Sequence, residues 1–435
     1  MKNILSDFDN KFKTVQAWNL TFSQKAQVIY PKNTDELKDI ISILKKEKKS
    51  FAIKSGECSY DSKSMSSEKS LIIISLKNFC SIKELSLDNN FITVESGMKI
   101  SNVIEKIIPK NMSLYAVPGG EHVTIGGAIS GNVFGKDSNI NYSSFGDTVI
   151  SMRIISYEGK ILNINRNDKE FYNYIGSFGF FGIILEAKIK TKKIVSPNLK
   201  LKTIPLKNTE DILTELNKED SDYKYVQLDP FFRKRIFGLA FKASYYESNE
   251  NLLKKISLNS NHLEKLFFKI SSFALSKFTW KIFYLLFFYV NRNEKKINIH
   301  NFHYASKYKH MIPLMCKDGL KEYEVIGVKN FKKIIEEIRD FIKLNKIIPI
   351  YIVIKKHFKS KNNFYYSFND NGYSIAFAFS RKNFDSVKIK QFKEIVEKNN
   401  LKVNLTKTDD FKLDTKYFGN HDIFMSKYKE INLER

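Results

Sequence analysis

The sequence predicts an α+β protein built in more than one part, and three observations predict it. The stretch Val117 to Ser138, VPGGEHVTIGGAISGNVFGKDS, packs six glycines into a chain that has only 18 in 435 residues. Glycine loses more conformational freedom on folding than any other residue, so such a cluster is tolerated where backbone must approach another group closely. It asks for a ligand. Short apolar strands and amphipathic helices alternate around this cluster. Near residue 195 the texture changes: glycines thin out, and strands mix with amphipathic helices such as NFKKIIEEIRDFIKL. A boundary there agrees with the length, which exceeds what one ordinary core organises.

The elements follow in order. PKNTDELKDIISILKK offers an Asn or Thr cap and then sets Leu37, Ile40, Ile41 and Leu44 on one helical face. Phe51 to Ile53 reads as a strand ending in Gly56, SLIIISL and FITVESG as further strands, and SNVIEKIIP as a short helix stopped by Pro109. After the glycine cluster, DTVISMRIISYEGKILNI reads as two strands joined at Glu158-Gly159. KEFYNYIGSFGFFGIILEAKIK reads as a helix, three glycines (Gly176, Gly179, Gly182) and a strand.

The formal charge of +25 invites a nucleic-acid reading, but the excess is lysine spread along the whole chain, with no arginine stripe and no zinc-finger, homeodomain or RRM signature. No nucleic-acid partner is expected; an anionic membrane surface or a phosphate-bearing substrate is compatible with the charge. Cys58, Cys80 and Cys316 stand far apart in no CxxC pattern, so neither a disulfide framework nor a metal site is expected. The first residues carry acids and lack an apolar core, which argues against a signal peptide and for a cytoplasmic location. Leu266 to Val290, LFFKISSFALSKFTWKIFYLLFFYV, is broken by Lys269, Lys277 and Lys281, too often to span a bilayer. It reads either as a buried core element or as an interfacial one, with Phe287 and Phe288 meeting lipid and peripheral contact at the inner face of the membrane.

Two familiar glycine motifs fail. No cluster has the G-x-G-x-x-G spacing between a strand and a helix, and GNVFGKDS lacks one spacer of a P-loop and has Asp137 where a Ser or Thr would hold magnesium. What remains is a pair of loops, KSGECSY after a strand and PGGEHVTIGGAISG farther on. Two such loops can converge so that their backbone N–H groups surround a pyrophosphate.

The order K-x-G-x-x-S-Y, then P-G-x-x-x-V-T-x-G-G-A-I, then S-F-G-D, then F-Y-x-x-x-G-x-x-G-x-x-G-I-I resembles the FAD-binding domain of the vanillyl-alcohol-oxidase (PCMH) superfamily. Within it, Lys54 to Ile189 is most similar to the decaprenylphosphoryl-ribose 2'-oxidases, and NFHYASKY, GLKEYEVIGV, IYIVIKKHF, YSIAFAF and VNLTKTDD keep the order of their later segments. The resemblance implies a two-subdomain PCMH-type FAD-binding domain over 1–195, an antiparallel-sheet substrate or cap domain over 196–405, and a C-terminal segment, 406–435, returning to the FAD domain.

It also implies the site. Cofactor contacts fall on Lys54, Ser55, Gly56, Glu57, Cys58 and Ser59 of the first loop, and on Pro118, Gly119, Gly120, His122, Val123, Thr124, Gly126, Gly127, Ser130, Gly131, Phe134 and Gly135 of the second. Gly182, Ile183 and Ile184 complete the set. Covalent relatives carry a histidine just before the loop serine and some add a cysteine in the second loop; Cys58 and Gly120 stand there, so FAD is expected to be non-covalent. Glu57 or Ser55 fills a glycine position of the family, and Phe134 replaces a histidine that precedes Gly-Lys.

Flavin oxidation of an alcohol needs a group that takes the hydroxyl proton and a cation or donor that stabilises developing negative charge. Lys407 in VNLTKTDD is the first candidate, Tyr60 a proton-relay candidate, and His303 and Tyr304 candidates for orienting a sugar. Lys355 follows the run Tyr351 to Ile354, so it or Lys356 points inward as an anion contact. Glu322 and Glu324 stand where relatives tend to have glutamine, a change that disfavours a phosphate nearby.

The expectation is FAD-dependent oxidation of a secondary hydroxyl on a sugar, lipid- or phosphate-linked, to a keto-sugar, with an NAD(P)-dependent reductase as partner completing an epimerisation in cell-envelope glycan synthesis. A soluble alditol or aldonolactone oxidase and a non-catalytic flavin- or glycolipid-binding protein are the rivals.

Overall fold

The computed structural model describes residues 12–49, 51–62, 71–137, 139–156, 158–233, 236–247, 277–304, 316–327 and 330–411. Residues 266–276 of the aromatic segment and 412–435 of the C-terminal segment therefore lie outside the described residues. The described chain is a mixed α+β fold of three sheets.

The first sheet holds β1 (Lys13–Gln16), β2 (Ser23–Ile29), β3 (Phe51–Lys54) and β4 (Leu71–Ser75) in the order β1-β2-β4-β3. Its β2-β4 and β3-β4 pairs are parallel and only β1-β2 is antiparallel. Parallel strands need a crossover, and α1 (Thr34–Lys46) between β2 and β3 supplies one. Asn33 caps α1 by accepting from Glu36 N, Asp35 and Glu36 occupy its first turn, and Lys45 and Lys46 its last, a charge order that suits the helix dipole. Leu37, Ile40, Ile41 and Leu44 are its buried face, as their spacing predicts.

The second sheet is antiparallel, with β5 (Ile82–Ser86), β6 (Phe91–Glu95), β8 (Val149–Ser156), β9 (Ile161–Asn165) and the long β10 (Gly182–Lys193) in the order β5-β6-β10-β8-β9. The short β7 (Met112–Leu114) also pairs with β10. The Gly159 turn between β8 and β9 takes φ +89°, a conformation that favours glycine. α2 (Ile100–Ile107) and α3 (Ile125–Ser130) pack on this sheet, in a core that includes Ile92, Val103, Ile125, Ile129, Phe145 and Ile189. The helix expected at KEFYNY is a 3₁₀ turn, Lys169–Tyr174.

Between Lys193 and Asn198 the chain leaves the second sheet for the third. This is an antiparallel sheet of eight strands. Its members are β11 (Asn198–Leu206), β12 (Tyr223–Arg233), β13 (Ile236–Tyr245), β14 (Lys295–Asn298), β15 (Leu320–Gly327), β16 (Tyr351–His357), β17 (Gly372–Ser380) and β18 (Lys402–Val403). Their order is β14-β11-β13-β12-β16-β17-β15-β18.

On one face lie α5 (Thr209–Asn217), α8 (Phe331–Leu344) and α9 (Ser386–Lys398), over a core that includes Ile335, Ile338, Ile352, Ile354, Phe377 and Phe392. α6 (Lys277–Val290) packs with Leu239, Phe241 and Tyr225 of β12 and β13, and α7 (Ile299–His303) follows β14 directly.

The S-F-G-D stretch holds the sheets together. It forms α4 (Phe145–Thr148), closed by a capping box between Ser144 and Asp147. Asp147 Oδ2 accepts from Ser143 and Ser144, while Oδ1 accepts from Ser360 Oγ at 2.5 Å and Asn362 Nδ2 at 2.8 Å, beyond β16 of the third sheet.

Candidate functional site

Where the three sheets meet there is a cavity of about 490 Å³. The two glycine loops form one wall. Gly56 is the point where they touch: a Cβ there would stand 2.0 Å from His122 O, so only glycine lets the loops close. Glu57 next to it takes φ +56°, left-handed backbone that normally falls to glycine. The chain thus keeps the glycine conformation with an exposed glutamate at that position of the lining. Thr124 caps α3, its Oγ1 accepting from Gly127 N at 3.4 Å. Lys54 is buried at the end of β3, donates to Gln16 O at 3.1 Å, and has its pKa lowered by that burial.

The other wall is one face of the third sheet. Alternate residues of a strand share a face, so Tyr225 and Gln227, Glu322 and Glu324, and Tyr351, Val353 and Lys355 all turn to the cavity. The intervening Ile352 and Ile354 enter the core below. Register aligns them: Gln227 pairs with Val353, Val353 with Ala376, and Ala376 with Glu324, a continuous row across four strands. Asn404, Thr406 and Lys407 complete the rim beyond β18.

Two charged networks stand on this wall. Tyr60 OH donates to Glu322 Oε2 at 2.6 Å, Lys407 Nζ reaches the same oxygen at 3.3 Å, and Lys407 lies 4.7 Å over the Tyr60 ring. Burial, and then the Glu322 charge, push the Tyr60 phenol well above its ordinary range, so it is a neutral donor. In the second network Glu324 accepts from Lys355 at 3.5 Å, Ser374 at 3.2 Å and Asn404 at 2.9 Å. Burial raises the Glu324 pKa, but the Lys355 and Lys407 charges and the hydrogen bond from Asn404 outweigh it, and the carboxyl stays below its usual value. His357 donates to or accepts from Ser374 Oγ at 2.8 Å and is held neutral, its pKa lowered to about 3 chiefly by burial.

Phe134, in the place of the family's histidine, packs edge-on to His357 at 4.7 Å and lies under Lys355 Nζ at 4.9 Å. It gives Lys355 a cation–π seat instead of a hydrogen bond. Lys136 was missed by sequence reasoning, although it stands in the same FGKD stretch. It lines the cavity, donates to Phe302 O and His303 O, and lies over the rings of Tyr225 and Phe302. Burial, and then Lys355, lower its pKa to about 7. Asp137 turns the other way, accepting from Val117 N at 3.2 Å, with its pKa raised by burial to about 6.

The structure brings together on the cavity wall every expected cofactor residue except Gly135, and of the chemical candidates Tyr60, Lys355 and Lys407. Gly135 serves packing: a Cβ would stand 2.2 Å from Val117 O. His303 and Tyr304 also require correction, since neither lines the cavity. α7 carries them into the core, where His303 meets Tyr223 edge-on at 5.1 Å, and burial depresses its pKa well below the ordinary value. Only His303 is linked to the site, and indirectly, through its backbone carbonyl, which with that of Phe302 holds Lys136. Glu322 and Glu324, which the resemblance already singled out, belong to the site, and so does Gln227, which it did not; the alternation of β12 was the signal that could have found it.

The lining fits a flavin dinucleotide on local grounds. A Cβ on Gly119 or Gly179 would meet no heavy atom nearer than 3.9 Å, so these backbones face open cavity. Ser96 Oγ lines the cavity, is buried, and has no hydrogen-bond partner among the described residues, an orphan that a polar ligand would satisfy. Among those residues no cluster of His, Cys, Asp or Glu is placed to hold a metal ion.

Comparison with known proteins agrees. Residues 25–165 match the FAD binding domain family. Over 122 residues, 27% of this chain and 26% of the relative, the chain is 25% identical to the decaprenylphosphoryl-beta-D-ribose oxidase of Mycolicibacterium smegmatis. Over 195 residues, 43% of this chain and 36% of the relative, it is 28% identical to the O-acetylstemmadenine oxidase of Catharanthus roseus. These matches span about a quarter to a third of the relatives' own length. In three dimensions the chain is similar to cholesterol oxidase from Brevibacterium sterolicum, with a TM-score of 0.69 over 92% of this chain and 88% of that one at 11% identity, a likeness of fold. Residues 25–165 are thus an FAD-binding domain, similar to those of the vanillyl-alcohol-oxidase (PCMH) superfamily, and FAD is the cofactor.

Proposed function

We propose that the protein is an FAD-dependent oxidoreductase that converts a secondary hydroxyl of a sugar to a ketone. The single observation that carries this reading is the Tyr60–Glu322–Lys407 network, a proton path that ends on the cavity wall opposite the glycine loops. Bound FAD supplies a two-electron acceptor. Ser55, Ser59, Gly119, Gly120, Thr124, Gly127 and the orphan Ser96 would hold it, and with no histidine at Cys58 or cysteine at Gly120 the attachment is non-covalent.

The chain's own residues then handle the proton and the sugar. Tyr60, kept protonated, accepts a hydrogen bond from the substrate hydroxyl while its own proton faces Glu322 at 2.6 Å. As the carbinol is oxidised, the hydroxyl proton passes to Tyr60 and the tyrosyl proton to the Glu322 carboxylate. Lys407, on the same carboxylate oxygen, sets its position and gives positive charge to the path. Gln227, Asn404, Thr406 and Lys355 line the same wall and offer hydrogen bonds to the remaining sugar hydroxyls.

The sugar reading is supported by the name of the mycolicibacterial relative, a ribose oxidase, and by the polar row on the third sheet. In this reading the keto-sugar is handed to an NAD(P)-dependent reductase, so that the pair epimerises one carbon of an envelope glycan precursor. The test is anaerobic addition of free, phosphorylated and lipid-linked sugars to the purified yellow protein, watching the oxidised flavin band. Bleaching by one of them supports the proposal and sorts the substrate. A fully bound flavin that none of them reduces overturns it in favour of a binding protein, and flavin left with acid-precipitated protein overturns the non-covalent attachment.

A further inference from the structure

α6 is a helix with two apolar faces. Trp280, Tyr284 and Phe288 recur at every fourth residue and are buried against β12 and β13, with Trp280 Nε1 donating to Pro349 O at 3.0 Å. Phe288 is wholly buried and Phe287 half-buried against the same core, so for these two residues the buried alternative of the sequence reading holds and the lipid-facing one does not. The opposite face carries Ile282, Leu285, Leu286, Tyr289 and Val290, all exposed, with Leu286 at 57% and Tyr289 at 71%. These five belong to only eleven large exposed hydrophobic residues among the described residues, a concentration on one helix that a freely solvated surface does not need.

Charge decides what covers this face. The stretch 280–296 carries four basic residues, Lys281, Arg292, Lys295 and Lys296, against one acid, Glu294, which already pairs with Lys200 at 3.0 Å. A second copy of the chain docking here would set two such cationic rims against each other. Anionic headgroups would neutralise them, and an apolar helical face rimmed by lysine and arginine is the arrangement that lies in a lipid interface. At 14 residues α6 is about 21 Å long by the rise of an α-helix, and no described helix is long and apolar enough to cross a membrane. It would lie flat.

We infer that the outward face of α6 is a docking surface for an anionic lipid bilayer. The same helix borders the site: Tyr284 OH donates to Ile350 O at 2.5 Å and is reached by Gln227 Nε2 at 3.4 Å, and Gln227 lines the cavity. A docked bilayer therefore lies one helix away from the substrate wall. This places the protein at the phase that would hold a lipid-borne substrate, although the docking itself does not depend on which sugar is oxidised.

The test is sedimentation of the flavin-loaded protein with phosphatidylcholine vesicles with and without phosphatidylglycerol, over a range of salt. Binding to the anionic vesicles that weakens with salt is expected. Leu286→Ser combined with Tyr289→Ser should lower it at least about tenfold while leaving flavin content and melting temperature near those of the parent, because both side chains are exposed. A parent protein that does not sediment with anionic vesicles, or a variant that sediments equally, overturns the inference. So does a dimer in solution that the substitutions dissociate without any vesicle binding by the parent. Should the apolar variant unfold, Lys281→Glu combined with Arg292→Glu replaces it: binding to anionic vesicles unchanged by reversing those two charges is again a refutation. Flavin reduction by a short-chain substrate is measured in the same samples, so a loss of docking and a loss of chemistry are read apart.

Discussion

Replacing Glu322 by glutamine separates the proton from everything else the residue does. Tyr60 OH and Lys407 Nζ both point at the same oxygen, Oε2, at 2.6 and 3.3 Å. An amide oxygen can keep both contacts, yet an amide does not accept a proton at neutral pH. Geometry is retained and basicity is lost. Lys407 loses its countercharge, but its side chain is 28% exposed and water screens it, so the stability change stays within about 1 kcal/mol. The rate constant for flavin reduction should fall by about 10²–10⁴, the ordinary scale for losing a general base, equivalent to about 2.7–5.5 kcal/mol of barrier. Anaerobic stopped-flow with the best substrate measures it, with flavin content and melting temperature as controls. Tyr60→Phe should give a loss of similar size, and the double variant should be little worse than either, because one path is cut twice. A glutamine variant that reduces flavin at the parental rate, or single losses that multiply in the double variant, would refute the relay and leave Lys407 acting alone.

Three other outcomes follow from the geometry. Gly126→Val should destabilise the fold, since a Cβ there meets Ser96 Cβ at 3.0 Å, whereas Gly127→Val, whose nearest neighbour is Thr124 Oγ1 at 3.3 Å, should fold and lose flavin; thermal melting and the flavin-to-protein ratio distinguish them. Lys136, with its pKa lowered to about 7 inside the cavity, should bind anions only while protonated, so inhibition by sulfate should weaken as pH rises through about 7 and lose this dependence in Lys136→Met. Because the unfolded chain keeps that proton up to the ordinary lysine range, stability should rise with pH between the two values in the parent, less so in the variant. Asp147→Ala strands donors from Ser143, Ser144, Ser360 and Asn362 together and should cost about 2–4 kcal/mol by denaturant unfolding; a variant as stable as the parent would show that this carboxylate does not tie the sheets.

The parts of the site legible in the sequence are those set by local backbone. Gly56 and the glycines of the second loop announce close approach because nothing else fits there, and Asn33, with Leu37 to Leu44, announces α1 through capping and period. Lys355 was legible as one of two lysines ending a strand, since alternation sends every other residue to one face. Non-local placement was not legible. His303 and Tyr304 stand in a suggestive order, but their fate depends on α7 packing beside Tyr223, a contact across eighty residues of chain. The register that lines up Gln227, Val353, Ala376 and Glu324 joins four strands from distant segments. In α6 the apolar residues run all round the helix, so period alone could not tell the face of Phe288 from that of Leu286.

The two glutamates bear on which sugar the cavity would take. Lys355 and Lys407 are the cations that sequence reasoning offered to an anionic group, and each is instead engaged by a carboxylate of β15 at 3.5 and 3.3 Å. A phosphate brought to either lysine would have to displace a buried Glu324 or Glu322 or lie beside it, and like charges at that range oppose one another. Lys136 is different, since it donates to the backbone carbonyls of Phe302 and His303 and pairs with no carboxylate among the described residues. An anionic end of the substrate would therefore go toward Lys136 and the Tyr225 ring, on the side of β12 that borders α6, leaving neutral hydroxyls for the Glu322 and Glu324 side. The substrate screen can read this polarity directly: Lys136→Met should raise KM for a phosphorylated sugar while changing little for its neutral counterpart, and equal effects on both would place the anion elsewhere.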